Sequence, residues 1–287
     1  MNDRIRIFGI AAAAFAMAFC SVSLTPASAE DKSPESASFF EGFDTVDPER
    51  WFIANGWTNG AHQNCTWSAK NFRVSGGALE LILSKNGEGD APPEKASEAR
   101  QFSCAELQTH KTYGYGTYEF RASAPAAPGL LSAFFTYVGP TPQAKSPHDE
   151  IDFEFLGKDK QVVQLNYFAE GQGQHELMAP LGFDASETMA NYAFEWLPGS
   201  IRWFINGKLV HEAKSEPDKP FPKTPGKIYL SLWASDTLEA WLGKFAYPGK
   251  PLIARFEWLA FTKTGETCRF PESVLCLARK PGEAMGN

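Results

Sequence analysis

Short stretches of alternating apolar and polar residues recur along most of the chain, and this is the period of a β-strand with one buried face. No stretch shows an extended helical period with caps, apart from a turn predicted near Ser186–Asn191. The predicted strands are Ala78–Leu83, Tyr113–Arg121, Leu130–Val138, an acidic strand within 148–157, Val162–Phe168, Tyr192–Trp196, Ile201–Ile205, Lys208–His211, Ile228–Trp233 and Leu252–Thr262.

Glycine and proline turns separate these strands. Asn206–Gly207 lies between two alternating hydrophobic stretches, which is the strongest short-range signal for a β-hairpin. Many short strands joined by such turns are typical of a β-sandwich or barrel, so we predict an all-β fold. There is no internal repeat, and the polar stretch 85–101 is predicted to be a mobile loop.

The acidic strand carries the clearest functional signal. Glu150, Asp152 and Glu154 occupy every second position, and Ile151 and Phe153 lie between them. One face of this strand is therefore apolar and the other carries three carboxyl groups, which repel one another when charged and raise one another's pKa. Because stability gains nothing from such a row, we expect it to serve chemistry, and glycoside hydrolysis is usually performed by a pair of carboxyl groups.

Two other interpretations of the triplet are weaker. A solvated outer face of an edge strand is disfavoured because Phe153 and Phe155 place the strand in the interior, where unpaired acids are costly. A calcium site needs several oxygen ligands around one ion. The outer two acids of a straight strand lie roughly 13 Å apart at their Cα atoms, which is too far for one ion.

The N-terminus has the pattern of a secretory signal peptide over residues 1–29. Arg4 and Arg6 precede a short apolar run, and Pro26–Ala29 ends in an Ala-x-Ala-like cleavage site. Cleavage after Ala29 would leave 258 of the 287 residues, enough for one large all-β domain over 30–263 followed by a tail over 264–287. We therefore expect an exported protein with no stable membrane association after the signal is removed.

Four cysteines remain after cleavage: Cys65, Cys104, Cys268 and Cys276. An even number in an exported chain favours two disulfides. The simplest pairing is local, Cys65 with Cys104 and Cys268 with Cys276, although four cysteines allow three connectivities. No Cys-x-x-Cys or His-x-x-x-His spacing indicates a zinc site, and the sequence predicts no metal.

Charge and aromatic content limit the partners. The formal net charge is −7 and there is no basic cluster, so nucleic acid and anionic membranes are not expected to bind. Aromatic residues make up 14% of the chain, more than a core alone requires, and flat sugar faces stack on such rings. A polysaccharide is the expected partner.

The sequence around the triplet resembles glycoside hydrolase family 16, and similar segments follow in the same order over roughly residues 40–263. The segments that resemble bacterial lichenases of this family are Asn64–Trp67, Cys104–Glu106, Tyr113–Tyr118, Ser132–Pro140, Leu181–Ser186 and Trp241–Gly243. The resemblance implies a curved antiparallel jelly-roll sandwich with an open cleft on its concave face. It also implies cleavage of a β-linked polysaccharide with retention, by double displacement through a covalent glycosyl-enzyme.

The resemblance assigns roles to individual residues. Glu150 is implied as the nucleophile, Glu154 as the general acid/base and Asp152 as the assisting carboxylate. The lichenase-like loop disulfide falls on Cys65 and Cys104. The implied substrate contacts are Asn59, Glu106, Phe135, Tyr137, Trp233 and Trp241.

Several positions differ from the lichenase pattern and place strict lichenan specificity in doubt. Gln108 replaces an Arg, Phe168 a Tyr, Ser231 an Asn and His148 a Trp. Trp51–Phe52, Gly56–Gly60, His62–Ser68, Pro147–Glu150, Ser231–Trp233 and the tail Gly265–Cys276 resemble instead the endoglycanases with which root-nodule bacteria depolymerise succinoglycan. A secreted endo-β-glycanase of such an exopolysaccharide is therefore the expected function, with a lichenase as the alternative.

Two further alternatives have weaker support. The string His148–Gly157 also matches plant xyloglucan transglycosylases, but these carry an N-glycosylation site just after the strand, and Lys158–Gln161 offers none. An inactive sugar-binding module on the same fold is disfavoured because the triplet is intact. The resemblance leaves room for a structural calcium ion near Glu257, where the family has Asp; no cofactor is expected to be required, and a monomer is expected by analogy.

Overall fold

The computed structural model describes residues 37–86, 100–141 and 145–277. Within these ranges the chain is almost entirely β-structure with two short helices. The strands are β1 (Phe39–Glu41), β2 (Trp51–Ile53), β3 (Cys65–Trp67), β4 (Phe72–Ser75), β5 (Ala78–Lys85), β6 (Phe102–Thr109), β7 (Gly116–Ser123), β8 (Leu130–Val138), β9 (Asp149–Leu156), β10 (Val162–Phe168), β11 (Leu177–Pro180), β12 (Ala190–Leu197), β13 (Ser200–Ile205), β14 (Lys208–Lys214), β15 (Lys227–Ala234) and β16 (Leu252–Lys263); the helices are α1 (Glu239–Leu242) and α2 (Val274–Leu277).

The strands form a curved, nearly closed antiparallel sheet that folds into two layers. The front sheet has the order β2-β6-β15-β8-β9-β10-β11, and the back sheet has the order β5-β16-β7-β12-β13-β14, with β1 against β16 and β4 against β5. The layers are continuous where β5 pairs with β6. Only the short strand β3 runs parallel to its partner, β6, among the pairs described. The predicted all-β jelly-roll sandwich is confirmed.

The core lies between the two sheets, where alternate residues of facing strands meet. Phe120 of the back sheet stacks on Phe134 of the front sheet with ring centres 4.2 Å apart, and it meets the edge of Phe153 at 5.4 Å. All three rings are fully buried. Each such burial contributes roughly 2–3 kcal/mol relative to an exposed side chain. The apolar face of β9 is therefore fixed in the core, and the opposite face must point out of the sandwich.

All ten predicted strands are present. Leu130–Val138 and Val162–Phe168 have the predicted bounds, and the other strands differ from prediction by up to three residues at either end. The hairpin at Asn206–Gly207 is confirmed, with φ of 48° and 76° that suit a tight two-residue turn. The turn predicted near Ser186–Asn191 lies slightly earlier in the chain. The backbone carbonyl of Asp184 accepts a hydrogen bond from the backbone N–H of Thr188, and β12 already begins at Ala190.

Six strands were not predicted: β1, β2, β3, β4, β6 and β11. Among them β6 lies in the middle of the sheet, and it mixes polar and apolar residues on both faces. Ser103 and Thr109 are buried like Leu107. Burial of the Thr109 hydroxyl is tolerated because it donates to the Lys111 carbonyl and accepts from the backbone of Ile228. Alternation alone cannot detect a strand whose buried polar groups are satisfied by tertiary contacts.

Both local disulfides are confirmed, Cys65–Cys104 and Cys268–Cys276. The first closes a sequence separation of 39 residues and stabilises the fold by about 4 kcal/mol on the chain-entropy model. The second fixes the first part of the predicted tail, where Ser273 and the backbone of Val274 donate to Glu119.

The predicted signal peptide, 1–29, and most of the predicted loop, 85–101, lie outside the described residues, so those expectations stay predictions. No helix in the described part of the chain is both long and apolar enough to span a membrane.

Candidate active site

A cleft of about 960 Å³ runs across the concave face of the front sheet, perpendicular to its strands. It crosses five neighbouring strands, β6, β15, β8, β9 and β10, so residues from distant parts of the sequence meet in one groove. The lining residues are Trp57, Asn59, His62, Glu106, Gln108, Leu131, Ala133, Phe135, Tyr137, His148, Glu150, Asp152, Glu154, Gln164, Asn166, Phe168, Glu176, Tyr229, Ser231, Trp233 and Trp241.

Strand β9 presents the acidic triplet to the middle of this cleft. Ile151, Phe153 and Phe155 are buried on its other side, and this orientation sends all three carboxyl groups into the groove. Every residue that the sequence assigned to catalysis or to substrate contact lines the same cleft.

The surroundings of Glu154 favour its protonated form. Its Oε2 accepts a 2.6 Å hydrogen bond from Nε2 of Gln164, and Gln164 is oriented by Nε1 of Trp241, which donates to its Oε1 at 3.1 Å. Burial raises the pKa of Glu154 to about 8, and the charges of Glu150 and Glu176 act in the same direction. Glu154 is therefore mostly protonated at neutral pH, as a general acid must be.

Asp152 lies fully buried between the two glutamates. Burial raises the pKa of this carboxyl well above its usual value, and the neighbouring Glu150 and Glu154 raise it further. It is hydrogen-bonded to Glu150, while its Oδ2 has no hydrogen-bond partner in the described structure. The two acids beside Glu150 thus both favour their neutral forms, so the triplet can place a negative charge on Glu150 without three anions repelling one another.

Glu150 is partly exposed to the cleft and contacts a histidine. Its side chain is 19% exposed, and its Oε2 lies 2.7 Å from Nε2 of His148. Hydrogen bonding to Glu150 raises the pKa of His148, as do the charges of Glu150 and Asp149. A partly exposed carboxylate beside a ring that gains a proton is suited to be the anionic nucleophile.

The loop disulfide supports two of the predicted substrate contacts. Gln63 donates to the Cys65 carbonyl at 2.9 Å and lies 3.5 Å from the Cys104 sulfur, and its Oε1 accepts from the backbone of Asn59 at 3.1 Å. Asn59 in turn is hydrogen-bonded to Glu106, whose pKa burial raises to about 7. The disulfide therefore holds a polar pair at one end of the cleft.

Aromatic rings form the walls of the cleft. Phe135 stacks on Tyr229 with ring centres 4.8 Å apart, and Tyr137 meets the edge of Tyr229 at 6.0 Å. At the other end of these strands Trp233 and Trp241 lie 6.4 Å apart. Such rings offer flat faces for sugar units in the part of the cleft formed by β8 and β15.

The four positions that differ from the lichenase pattern all line the cleft. His148 and Phe168 lie beside Glu150, whereas Gln108 and Ser231 lie on the neighbouring strands β6 and β15. His148 stacks on Phe168 next to Glu150. Gln108 accepts hydrogen bonds from Nζ of Lys227 at 3.1 Å and from the Tyr229 hydroxyl at 3.3 Å. Ser231 is buried with a hydroxyl that has no partner in the described structure.

Several cleft residues were not predicted: Trp57, His62, Leu131, Ala133, Gln164, Asn166, Glu176 and Tyr229. Gln164 and Asn166 alternate along β10 and pair in register with Glu154 and Asp152. The alternation is visible in the sequence, but the pairing of β10 with β9, which gives it meaning, is not.

The position near Glu257, where the resemblance leaves room for a structural calcium ion, does not fit a cation. Oε2 of Glu257 accepts a 2.6 Å hydrogen bond from Nε of Arg121, so the carboxylate that a calcium ion would need is already paired with a guanidinium. The described residues contain no group of three or more His, Cys, Asp or Glu side chains arranged to hold a metal ion.

Comparison with known proteins agrees with this geometry. The profile of glycosyl hydrolases family 16 matches residues 59–249. The endo-1,3-1,4-beta-glycanase ExoK of Rhizobium meliloti is 45% identical over 239 residues, which cover 83% of this chain and 84% of that protein. The beta-glucanase of Bacillus subtilis is 39% identical over 244 residues, which cover 84% of this chain and 93% of that protein.

A solved structure matches as well. The beta-glucanase of Bacillus licheniformis superposes with a TM-score of 0.70 at 39% identity, covering 79% of this chain and 99% of that one. With a front-sheet cleft, an acidic triplet that faces it and a family match over most of its length, the chain belongs to glycosyl hydrolases family 16 and is a glycosidase.

Proposed function

We propose that this protein is a secreted, retaining endo-β-glycanase that hydrolyses internal bonds of a β-linked bacterial exopolysaccharide of the succinoglycan type. The observation that carries the proposal is the triplet itself. Glu154 favours its protonated form, Glu150 is partly exposed, and both face one open cleft. An open groove accommodates a chain that continues on both sides of the cleaved bond, which suits endo-cleavage.

The proposed reaction has two steps. In the first, a carboxylate oxygen of Glu150 forms a bond to the anomeric carbon while the bond to the leaving oxygen breaks, and Glu154 gives its proton to that oxygen. In the second, Glu154 takes a proton from water, whose oxygen attacks the same carbon and releases Glu150. Neutral Asp152 donates to Glu150 and limits the negative charge between the two glutamates. Two inversions at one carbon give net retention, and no cofactor is needed.

The substrate assignment rests on the cleft walls. His148, Phe168, Gln108 and Ser231 differ from the lichenase pattern, and each would alter a stacking or polar contact with a glucan. The 45% identity to ExoK supports the same choice. The segments that resemble succinoglycan-depolymerising endoglycanases, Pro147–Glu150 and Ser231–Trp233, contain His148 and Ser231. A lichenase is the second candidate, favoured by the beta-glucanases that are about 39% identical.

We also propose that the protein is exported and acts as a monomer. Two disulfides support export, because they persist in oxidising compartments. The N-terminal pattern supports it independently, and protein recovered from the culture medium is expected to begin at Glu30.

The test is the size of products after incubation with purified succinoglycan, lichenan, laminarin and xyloglucan. We expect the fastest fall in chain length with succinoglycan, a slower fall with lichenan, and no cleavage by Glu154→Gln as the matched control. Cleavage of lichenan alone would replace the proposed substrate by the second candidate. Activity confined to xyloglucan, or glycosyl transfer in place of hydrolysis, would overturn the proposal.

A further inference from the structure

His148 continues the alternation of the triplet by one step, so four functional side chains follow one another on one face: His148, Glu150, Asp152 and Glu154. Its Nε2 is 2.7 Å from Oε2 of Glu150. Within the described structure, the ion pairs place no Lys or Arg against any of the three acids, and His148 is the one group in contact with the triplet that can carry a positive charge.

The ring of His148 is fixed from several sides. It stacks on Phe168 with ring centres 4.8 Å apart and planes 14° apart, and it packs at an angle against Tyr137 at 5.1 Å. Its backbone carbonyl accepts from Gly171 at 2.8 Å. These contacts hold the ring in a plane that contains the Glu150 carboxylate, and its Nε2 points at that carboxylate.

We propose, on the basis of the function given above, that His148 is a positioning residue that fixes the Glu150 carboxylate at the reacting carbon, with Phe168 as the support of its ring. His148 transfers no proton in either step. Its N–H bonds more strongly to a carboxylate than to the ester of the glycosyl-enzyme, because hydrogen bonds to charged acceptors are the stronger ones. The contact therefore favours release of Glu150 in the second step.

The charges around the ring support a cationic form. Glu150 faces it from β9, Asp149 adjoins it, Tyr137 faces it from β8, and uncharged Phe168 faces it from β10. The two differences from the lichenase pattern, His148 and Phe168, thus act together as one contact pair rather than as two separate changes of the cleft wall.

The test is His148→Phe, which keeps a ring for Phe168 and Tyr137 to pack against but removes the donor. We expect kcat to fall about 10- to 100-fold with little change in KM, as for a misplaced reacting group. His211→Phe is the matched control, since His211 stacks on Trp203 away from the cleft, and it should change neither quantity.

An unchanged kcat in folded His148→Phe would overturn the positioning role, and so would an effect on KM alone. Neither result would affect the proposed function, which the product-size experiment tests in the wild-type enzyme. If His148→Phe does not fold, NMR titration of the His148 ring in wild type and in Glu150→Gln replaces it. We expect the pKa of His148 to fall in Glu150→Gln; an equal pKa in both proteins would overturn the proposal.

A different observation concerns the far edge of the front sheet. Phe52 on β2 is paired directly with the cleft residue Gln108 on β6, so both side chains project from the same concave face. The Phe52 ring is 38% exposed and lies 5.9 Å from the ring of Trp57, which lines the cleft, and 6.2 Å from His110. The aromatic floor of the cleft therefore continues one strand beyond Gln108.

We infer that Phe52 and Trp57 form an outer subsite for a distal sugar unit of the same polysaccharide chain, and this inference also rests on the proposed function. The cleft runs across the strands, and β2 is four strands from β9, or roughly 19 Å at the usual strand spacing. Each strand step is close to the length of one sugar unit in an extended β-linked chain. Phe52 would thus contact roughly the fourth unit from the cleaved bond.

The test compares chromogenic β-glucan oligosaccharides of increasing length on the Glu106 side of the cleft. Phe52→Ala should lower kcat/KM about fivefold for oligosaccharides of four or more units and leave shorter ones unchanged. Phe40→Ala is the control, because Phe40 is 49% exposed on the back sheet. An equal effect of Phe52→Ala at all lengths, or none at any length, would overturn the subsite while the wild-type activity still tests the proposed function.

Discussion

The buried acids that pair with arginine lie on the back sheet of the described structure, and the acids of the cleft have no such partner. On the back sheet, Glu80 contacts both Arg73 and Arg255, and Glu195 contacts Arg202. A third buried acid of that sheet, Glu119, accepts instead from Ser273 and from the backbone of Val274. On the front sheet, Glu106 and Asp152 are buried and Glu154 is partly buried, and the ion pairs of the described residues give none of the three an arginine or lysine. Their contacts are Asn59, Glu150 and Gln164, which leave the neutral form favourable.

The difference separates arginine-paired acids from the acids of the cleft. A carboxylate that holds a sheet together is stabilised by cations and stays charged. A carboxyl group that must give and take a proton near neutral pH is instead buried away from cations, and burial raises its pKa. Burial away from cations does not by itself identify such a group, because burial also raises the pKa of Glu119, which contacts the tail and not the cleft. Glu80 and Glu195 lie on the back sheet and the triplet lies on the front sheet, so each set can be altered without the other.

The largest expected effect is on catalysis, from Glu154→Gln. Removing the proton donor should lower kcat/KM for polysaccharide by about a thousandfold, within the usual range of general acid catalysis. Substrates with good leaving groups should lose much less, because they need no proton. The free energy of unfolding should stay within about 1 kcal/mol, since the amide replaces a group that is already neutral. Equal losses on both substrate types would show that Glu154 is not the acid.

The next effect is on pH dependence. Because the pKa of Glu154 is raised to about 8, its protonated form persists below that pH and is lost above it. We therefore expect kcat/KM to be retained up to about pH 8 and then to fall tenfold per pH unit. With an activated substrate this alkaline limb should be absent in Glu154→Gln. An alkaline limb near the ordinary pKa of a glutamate would show that burial does not raise the pKa of Glu154.

The smallest effect is expected on the back sheet. Glu80→Gln removes the partner of Arg73 and Arg255, whose side chains are 57% and 41% exposed, so solvent compensates part of the loss. The free energy of unfolding should fall by about 1–2 kcal/mol with the same denaturant slope, and kcat/KM should not change. If Glu80→Gln lost activity while Glu154→Gln lost stability, the contrast between the two sheets would be wrong.

Sequence analysis predicts the catalytic strand well because its evidence is local. The alternation of Ile151 and Phe153 with the acids determines both the strand and its orientation. The resemblance to family 16 then placed Asn59 and Trp241, which lie some ninety residues on either side of the triplet, in the same cleft.

What the sequence does not show is how strands pair. Gln164 contacts Glu154 only because β10 pairs with β9 in this register, and one step of slippage would reverse every side chain. The contact of His148 with Phe168 arises in the same way from two strands. Central strand β6 was missed because its buried polar residues are satisfied by partners far along the chain.

The most direct test of the account is Glu150→Ala with an activated β-glycoside, with and without azide. The account predicts a folded protein without hydrolytic activity, in which azide restores cleavage by entering the space of the lost carboxylate. The product should be a glycosyl azide of inverted configuration, because only one displacement then occurs. A Glu150→Ala enzyme that still hydrolyses its substrate at a normal rate would contradict the assignment of the front-sheet acids.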